Sequence, residues 1–148
     1  MFKKNLLAAG LAAAVGCVPA GCGGAADPAD PPPASVKAIP GSQVKEVLLT
    51  ARAEQRIGIA TQPVRAAAGS SGGGREVIPY SAVVYDNDGS TWTYVNTTGR
   101  TFVRQPIVIN AIQGSEAVLD RGPAVGAPVV TVGAPELLGT EYDISGEQ

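Results

Sequence analysis

The sequence predicts a small all-β fold, an antiparallel β-roll or barrel-like module carrying one short α-helix. Three observations predict it. Between Ile78 and Val132, runs rich in Val, Ile, Thr and aromatic residues alternate with Gly- and Asp-bearing turns, as in short strands folded back on one another. Inside that stretch Thr91 and Thr93 alternate with Trp92 and Tyr94, the period of two that a half-buried strand requires. The segment Ala51 to Ile57 carries helix punctuation: Thr50 at the N-cap position, Arg56 near the end, and Gly58 where a left-handed stop is needed.

Residues 1–22 read as a lipoprotein-type signal sequence. Lys3 and Lys4 precede an apolar run, Leu6 to Val15, that is too short to span a bilayer, which takes about 20 residues. Small residues precede both Cys17 and Cys22, a pattern that resembles the lipobox of bacterial lipoproteins. Either thiol is therefore a candidate lipid-attachment site, Cys17 fitting slightly better because Pro19 interrupts the second match. Residues 23–42, dominated by Ala, Pro and Gly, read as a tether that buries too little apolar surface to offset its ordering entropy.

The folded module is expected over residues 43–145. Val44 to Leu49 is a β-prone run, followed by the helix and by a strand from Ile59 to Val64 whose Pro63 marks a sheet edge. Residues 66–75, within RAAAGSSGGGR, form a flexible linker; no helix or Lys-Ser/Thr ending follows to make it a phosphate loop. Glu76 to Tyr80 reopens the module, and Ala82 to Tyr85 reads as its first long strand. Asp86 to Ser90 turns it into Thr91–Asn96, since Asp-Gly is a hairpin signal. After the turn at Thr97 to Gly99, a strand from Thr101 to Ile109 is expected with an interruption at Pro106. Glu116 to Leu119 and Pro128 to Val132 complete the strands. Ala134 to Gly139 reads as a helical turn, with fraying from Ser145.

The composition excludes several chemistries. The chain of 148 residues has no histidine, and both its cysteines lie in the signal. The commonest general base and the usual thiolate and imidazole metal ligands are therefore missing from the fold, and no cofactor or metal is expected. Asp86, Asp88, Glu116, Asp120 and Glu136 fall in turns or strand ends, where carboxylates are ordinary. A non-enzymatic role is the expectation. Removing Lys3 and Lys4 leaves nine basic against thirteen acidic residues, a balance of −4 with no basic stripe for nucleic acid. Trp92 is expected in the core against Val84 and Phe102, and Leu48, Ile57 and Ile59 in one shared core with the sheet. Arg100 and Arg104 share the parity of Phe102 and read as a surface rim, with partner contact as their candidate role.

Together these stretches resemble the membrane-proximal end of periplasmic adaptor subunits, the membrane fusion proteins of tripartite efflux pumps. The resemblance rests on Pro79-Tyr80-Ser81-Ala82-Val83-Val84, on Asp88-Gly89 before Trp92-Thr93-Tyr94-Val95, and on Phe102-Val103-Arg104. Gly122, Gly126, Val129 and Val130 fit the closing segment, although Pro123 and Ala127 depart from it, and Asn110 stands where glycine is usual. Glu46 to Val64 resembles the beginning of the same proteins. The resemblance implies a membrane-anchored, extracytoplasmic accessory protein of a bacterium that docks on an inner-membrane transporter. No helical hairpin, lipoyl-type domain or methionine metal site comes with it, since the chain has no room for the first two and Met1 is its single methionine. A free-standing lipoprotein binding module and a degenerate remnant are the alternatives.

The anchor is directly testable. Radiolabelled palmitate is expected to label the wild-type chain, and a Cys17→Ala, Cys22→Ala double variant is expected to lose the label.

Overall fold

The computed structural model describes residues 31–67 and 75–143, which form antiparallel sheets with two helices. In chain order these are β1 (Ala34–Ala38), β2 (Lys45–Leu49), α1 (Ala51–Ile57), β3 (Ala60–Pro63), β4 (Arg65–Ala66) and β5 (Glu76–Pro79). A 3-10 turn (Tyr80–Ala82) leads to β6 (Val84–Tyr85), β7 (Thr91–Thr98), β8 (Thr101–Pro106), β9 (Val108–Gln113), β10 (Glu116–Arg121), β11 (Pro128–Val132) and α2 (Ala134–Asp143). The larger sheet runs β1-β2-β8-β7-β11-β3, with β6 also on β7; the smaller runs β4-β5-β10-β9.

Strand alternation divides the interior in two. Val47, Leu49, Tyr94, Phe102 and Val130 face one way from the large sheet and pack with Ala53 of α1 and Ala134 and Leu137 of α2. Val95 and Val129, the neighbours of Tyr94 and Val130, face the other way onto Ile78, Ala117 and Leu119 of the small sheet. The centre of the large sheet is thus covered on both faces. Its β1–β2 flank is covered on one, which leaves Leu48 47 % exposed opposite Ser35 and Thr101.

The chain passes between sheets at two buried residues. Val64 sits between β3 and β4, donating to the Ala127 carbonyl (2.9 Å) and accepting from Gly126 N–H (2.9 Å). Ile107 sits between β8 and β9; its N–H reaches the Thr91 carbonyl (3.0 Å) and its own carbonyl takes the Thr91 hydroxyl (2.8 Å). Both crossings satisfy their backbone groups, as burial demands.

Several expectations hold. Thr50 Oγ1 accepts from Ala53 N–H (3.2 Å), and Gly58 stops α1 with φ 74° while its N–H bonds the Glu54 carbonyl (2.9 Å). β3, ending in Pro63, lies at the sheet edge. Glu46 to Val64 is built into the large sheet through β2–β8 and β3–β11 pairing, and Ile57 and Ile59 pack on its core.

Others are corrected. Residues 34–38, assigned to the tether, form β1: its backbone pairs with β2 along its whole length, and Ala34 and Val36 supply a small apolar face. Leu48 is outside the core because Val47 and Leu49 take the inward parity of β2. Ala82 to Tyr85 is no long strand; Pro79 closes β5, the chain turns, and β6 has two residues. Thr101 to Ile109 is two strands in different sheets. A second helix, α2, replaces the expected helical turn. Trp92 is only half-buried and lies opposite Val84 and Pro106, whereas Phe102 lies opposite Asn96, near the other end of β7. The signal cysteines, the linker centre and the terminus from Ser145 lie outside the described residues.

Gly133 joins β11 to α2 at φ 90°, and a Cβ there would collide with Ile57 Cγ2 and Ile59 Cδ1. Gly133→Ala is expected to destabilise the fold by about 1–3 kcal/mol in urea titration, combining left-handed strain with displacement of the isoleucines.

Candidate functional site

The polar residues that come together in this fold do so around Arg104. Arg104 sits on β8 with the inward parity of Phe102, so its side chain enters the interior at the end of the strand where apolar packing stops. It is 8 % exposed. A buried guanidinium requires counter-charge and hydrogen-bond acceptors. Two carboxylates supply them: Nε donates to Glu141 Oε1 (3.1 Å), and an Nη1 proton reaches Asp86 Oδ2 (2.8 Å).

Each partner is held by a second bond. Glu141, on the last turn of α2 and 2 % exposed, accepts the Tyr94 hydroxyl at Oε2 (2.7 Å) and the Lys45 N–H at Oε1 (3.3 Å). Asp86, at the first position of the β6–β7 turn, accepts the Tyr142 hydroxyl (2.7 Å) and the Asn87 N–H (2.7 Å). The Tyr142 oxygen in turn accepts from Arg104 Nη1 (3.2 Å). The guanidinium stacks near Trp92, 4.6 Å from the ring centroid, and near Tyr142, at 5.3 Å. Trp92 is fixed by its indole N–H, which donates to Ser90 Oγ (2.7 Å).

The electrostatics follow from this wiring. The Tyr142 hydroxyl, then the Asn87 N–H and Arg104, hold the Asp86 carboxyl below its ordinary range. Burial, then Glu141, push the Tyr94 phenol well upward, so it remains a donor. Tyr142 is raised by its bond to Asp86. The hydrogen bonds thus set one guanidinium donor against the oxygens of Glu141 and Asp86, with the Tyr94 and Tyr142 hydroxyls donating to the same two side chains. Chemically the arrangement latches α2 to β2, β7, β8 and the β6–β7 turn.

Arg104 is therefore no surface-rim residue; a contact through its guanidinium would have to break the bonds above. Arg100 lies apart in the β7–β8 turn, exposed, with Nε donating to the Leu49 carbonyl (3.2 Å). Sequence reasoning missed Glu141 and Tyr142, whose helix it read as a turn, and took Asp86 for turn punctuation. The parity of Arg104 with Phe102 was the available signal. A separate shallow cleft of about 500 Å³ lies beside Gln62, Arg65, Tyr80 and Glu116. Its charges are already spent on the Arg65–Glu116 ion pair, and Tyr80 and Tyr85 share a hydrogen bond (3.2 Å). Among the described residues no group of three or more His, Cys, Asp or Glu is placed to hold a metal.

Comparison with protein-family models, curated proteins and solved structures finds no match to this chain.

Removing one member of a buried ion pair strands the other. Arg104→Met is expected to cost about 3–5 kcal/mol in urea unfolding. Adding Glu141→Gln, which keeps an acceptor for Tyr94, is expected to cost clearly less than the sum of the two single changes, the mark of direct coupling.

Proposed function

We propose that this chain is a non-enzymatic, lipid-anchored extracytoplasmic protein, a shortened relative of efflux-pump periplasmic adaptors that docks on an inner-membrane transporter. The observation that carries the reading is the junction at residues 67 and 75. The two stretches that resemble adaptor sequence lie on either side of the linker, and they fold as neighbours. β4 and β5 pair across it, Arg65 opposite Val77 and Ala66 opposite Glu76, and Ala67 N–H meets the Arg75 carbonyl at 2.8 Å. A chain that leaves and returns at adjacent strands accommodates either a long insert or a short linker without altering the sheets.

The rival reading as a degenerate remnant fits less well with the interior. Among the described residues, Thr93 Oγ1 is the single buried side-chain polar atom with no partner. Native folds hold few such groups, and an interior this well satisfied is that of an intact fold. A free-standing binding module remains the alternative that binding data separate.

The test is affinity purification of the full-length chain from detergent-solubilised membranes of its own cells after mild crosslinking. A polytopic transporter is expected to co-purify, and to be lost when Cys17 and Cys22 are both replaced by Ala. Recovery of the protein with soluble or outer-membrane partners only would favour the binding-module alternative.

A further inference from the structure

Among the described residues the large sheet ends in β1 and β3, and the small sheet in β4 and β9. Three of these edges are blunted. β1 carries exposed Lys37 and follows Pro31-Pro32-Pro33, β3 closes on Pro63, and β4 has two residues, the first of them Arg65. Charge, proline and shortness are devices that stop an open strand from pairing with another chain. β9 has none of them. It is six residues long, runs Val108-Ile109-Asn110-Ala111-Ile112-Gln113 without a charge or a proline, and among the described residues pairs with β10 alone. Val108 and Ile112 on it are 46 % and 51 % exposed.

The register of β9 prepares this edge for a particular neighbour. Residues directly opposite in a sheet share a face, and Ile109 and Ile112 stand opposite Leu119 and Ala117, both fully buried. A bulge at Asn110 brings the two isoleucines to that one face although they are three positions apart, and the Asn110 amide donates to Asp120 Oδ2 (3.0 Å). Ile109 already packs on the core between the sheets, whereas Ile112 is left at its margin. A second β9 laid antiparallel and centred between Asn110 and Ala111 sets Ile109 of each copy opposite Ile112 of the other. The buried face then continues across the join. On the outer face Val108 meets Gln113, and Asn110 meets Ala111. Charge selects the antiparallel sense. Glu116 and Asp120 beside this edge are already bonded to Arg65 and Arg75, and exposed Arg121 stands opposite Val108 at one end. Antiparallel strands hold the two Arg121 side chains at opposite ends of the pair, whereas parallel strands would set these like charges side by side.

We propose that this chain self-associates through β9, two copies joining edge to edge in an antiparallel, two-fold pair that makes their small sheets continuous. Each copy has one open edge, so association stops at two. The contact is small for a protein interface, so the pair is weak and reversible. It depends on neither the lipid anchor nor the transporter.

The test expresses the full-length chain in its own cells with the photo-crosslinker benzoyl-phenylalanine in place of Ala111 or, on the blunted edges, of Lys37 or Gln62. Irradiation is expected to give a covalent dimer from position 111 and from neither of the others, with differently tagged copies joined in it. Ile112→Lys is expected to lower that dimer by about tenfold, because it points a charge into the join, while Ile112→Val retains it. The lysine is expected to leave the unfolding midpoint of the chain unchanged, since Ile112 is half exposed. Val108→Lys, at the other exposed position, gives the same reading should the first variant unfold. No dimer at position 111, equal dimer from all three edges, or a dimer that survives both lysines would overturn the pair. An adduct with a different protein would assign the edge to a foreign strand, and a ladder beyond dimers would assign it to open-ended aggregation; either overturns it too.

Discussion

The ion cluster at Arg104 is the interaction on which the closed form of this fold depends. A helix of ten residues is marginal by itself, and α2 contains Pro135 and Gly139. It buries Ala134 and Leu137 against the large sheet, while Glu141 anchors its far end. Charges buried without partners cost several kcal/mol each, so Glu141 and Arg104 are tolerable only as a set. Tyr94 and Lys45 N–H then fix the carboxylate to two further strands. Hydrophobic burial supplies most of the attraction for the helix, and the cluster supplies its register. A shift of one residue along α2 would turn Glu141 away from Arg104 and bring Tyr142 or Thr140 to its place.

The cluster also accounts for the arrangement of the β6–β7 turn. A two-residue strand such as β6 offers little pairing, and Asp86 follows it directly. Binding Arg104, Tyr142 and Asn87 N–H through one carboxylate holds the turn against the sheet. On the other face, the small sheet needs no comparable device, because Ile78, Ala117 and Leu119 pack on Val95 and Val129 over the full width of β5 and β10. Its ion pairs, Arg65–Glu116 and Arg75–Asp120, are exposed and contribute little.

Local signals carried well from sequence to structure, and non-local ones did not. Thr50, Gly58 and Pro63 act through their own backbone geometry, so cap, stop and edge were legible. The Asp-Gly turn and the β7–β8 hairpin were legible for the same reason. β1 was not, since Ala34 to Ala38 has little β propensity and forms only because β2 offers a pairing edge. The site failed similarly. Phe102 and Arg104 alternate correctly, but the sequence does not say that two carboxylates, one from a turn and one 37 positions downstream, will meet the guanidinium. Trp92 shares the parity of Tyr94 yet stands at the strand end, where the core gives out; periodicity assigns a face and not a depth.

This difference in depth along β7 bears on how the molecule divides its labour. Tyr94 and Val95 are in the dry middle, Trp92 is at the end occupied by the Arg104 cluster, and Thr97 and Thr98 are exposed at the end where β1 starts. The middle is stabilised by apolar burial on both faces. The Arg104 end is fixed by directional bonds whose partners come from four separate elements, so it is stiff and defined in shape. The other end is held by local bonds from side chain to backbone, Asn96 to the Gly99 carbonyl, Thr97 to the Thr101 carbonyl and Arg100 to the Leu49 carbonyl. The strand axis thus separates an end held by a buried ion cluster from one held by local turn bonds, with the apolar core between them.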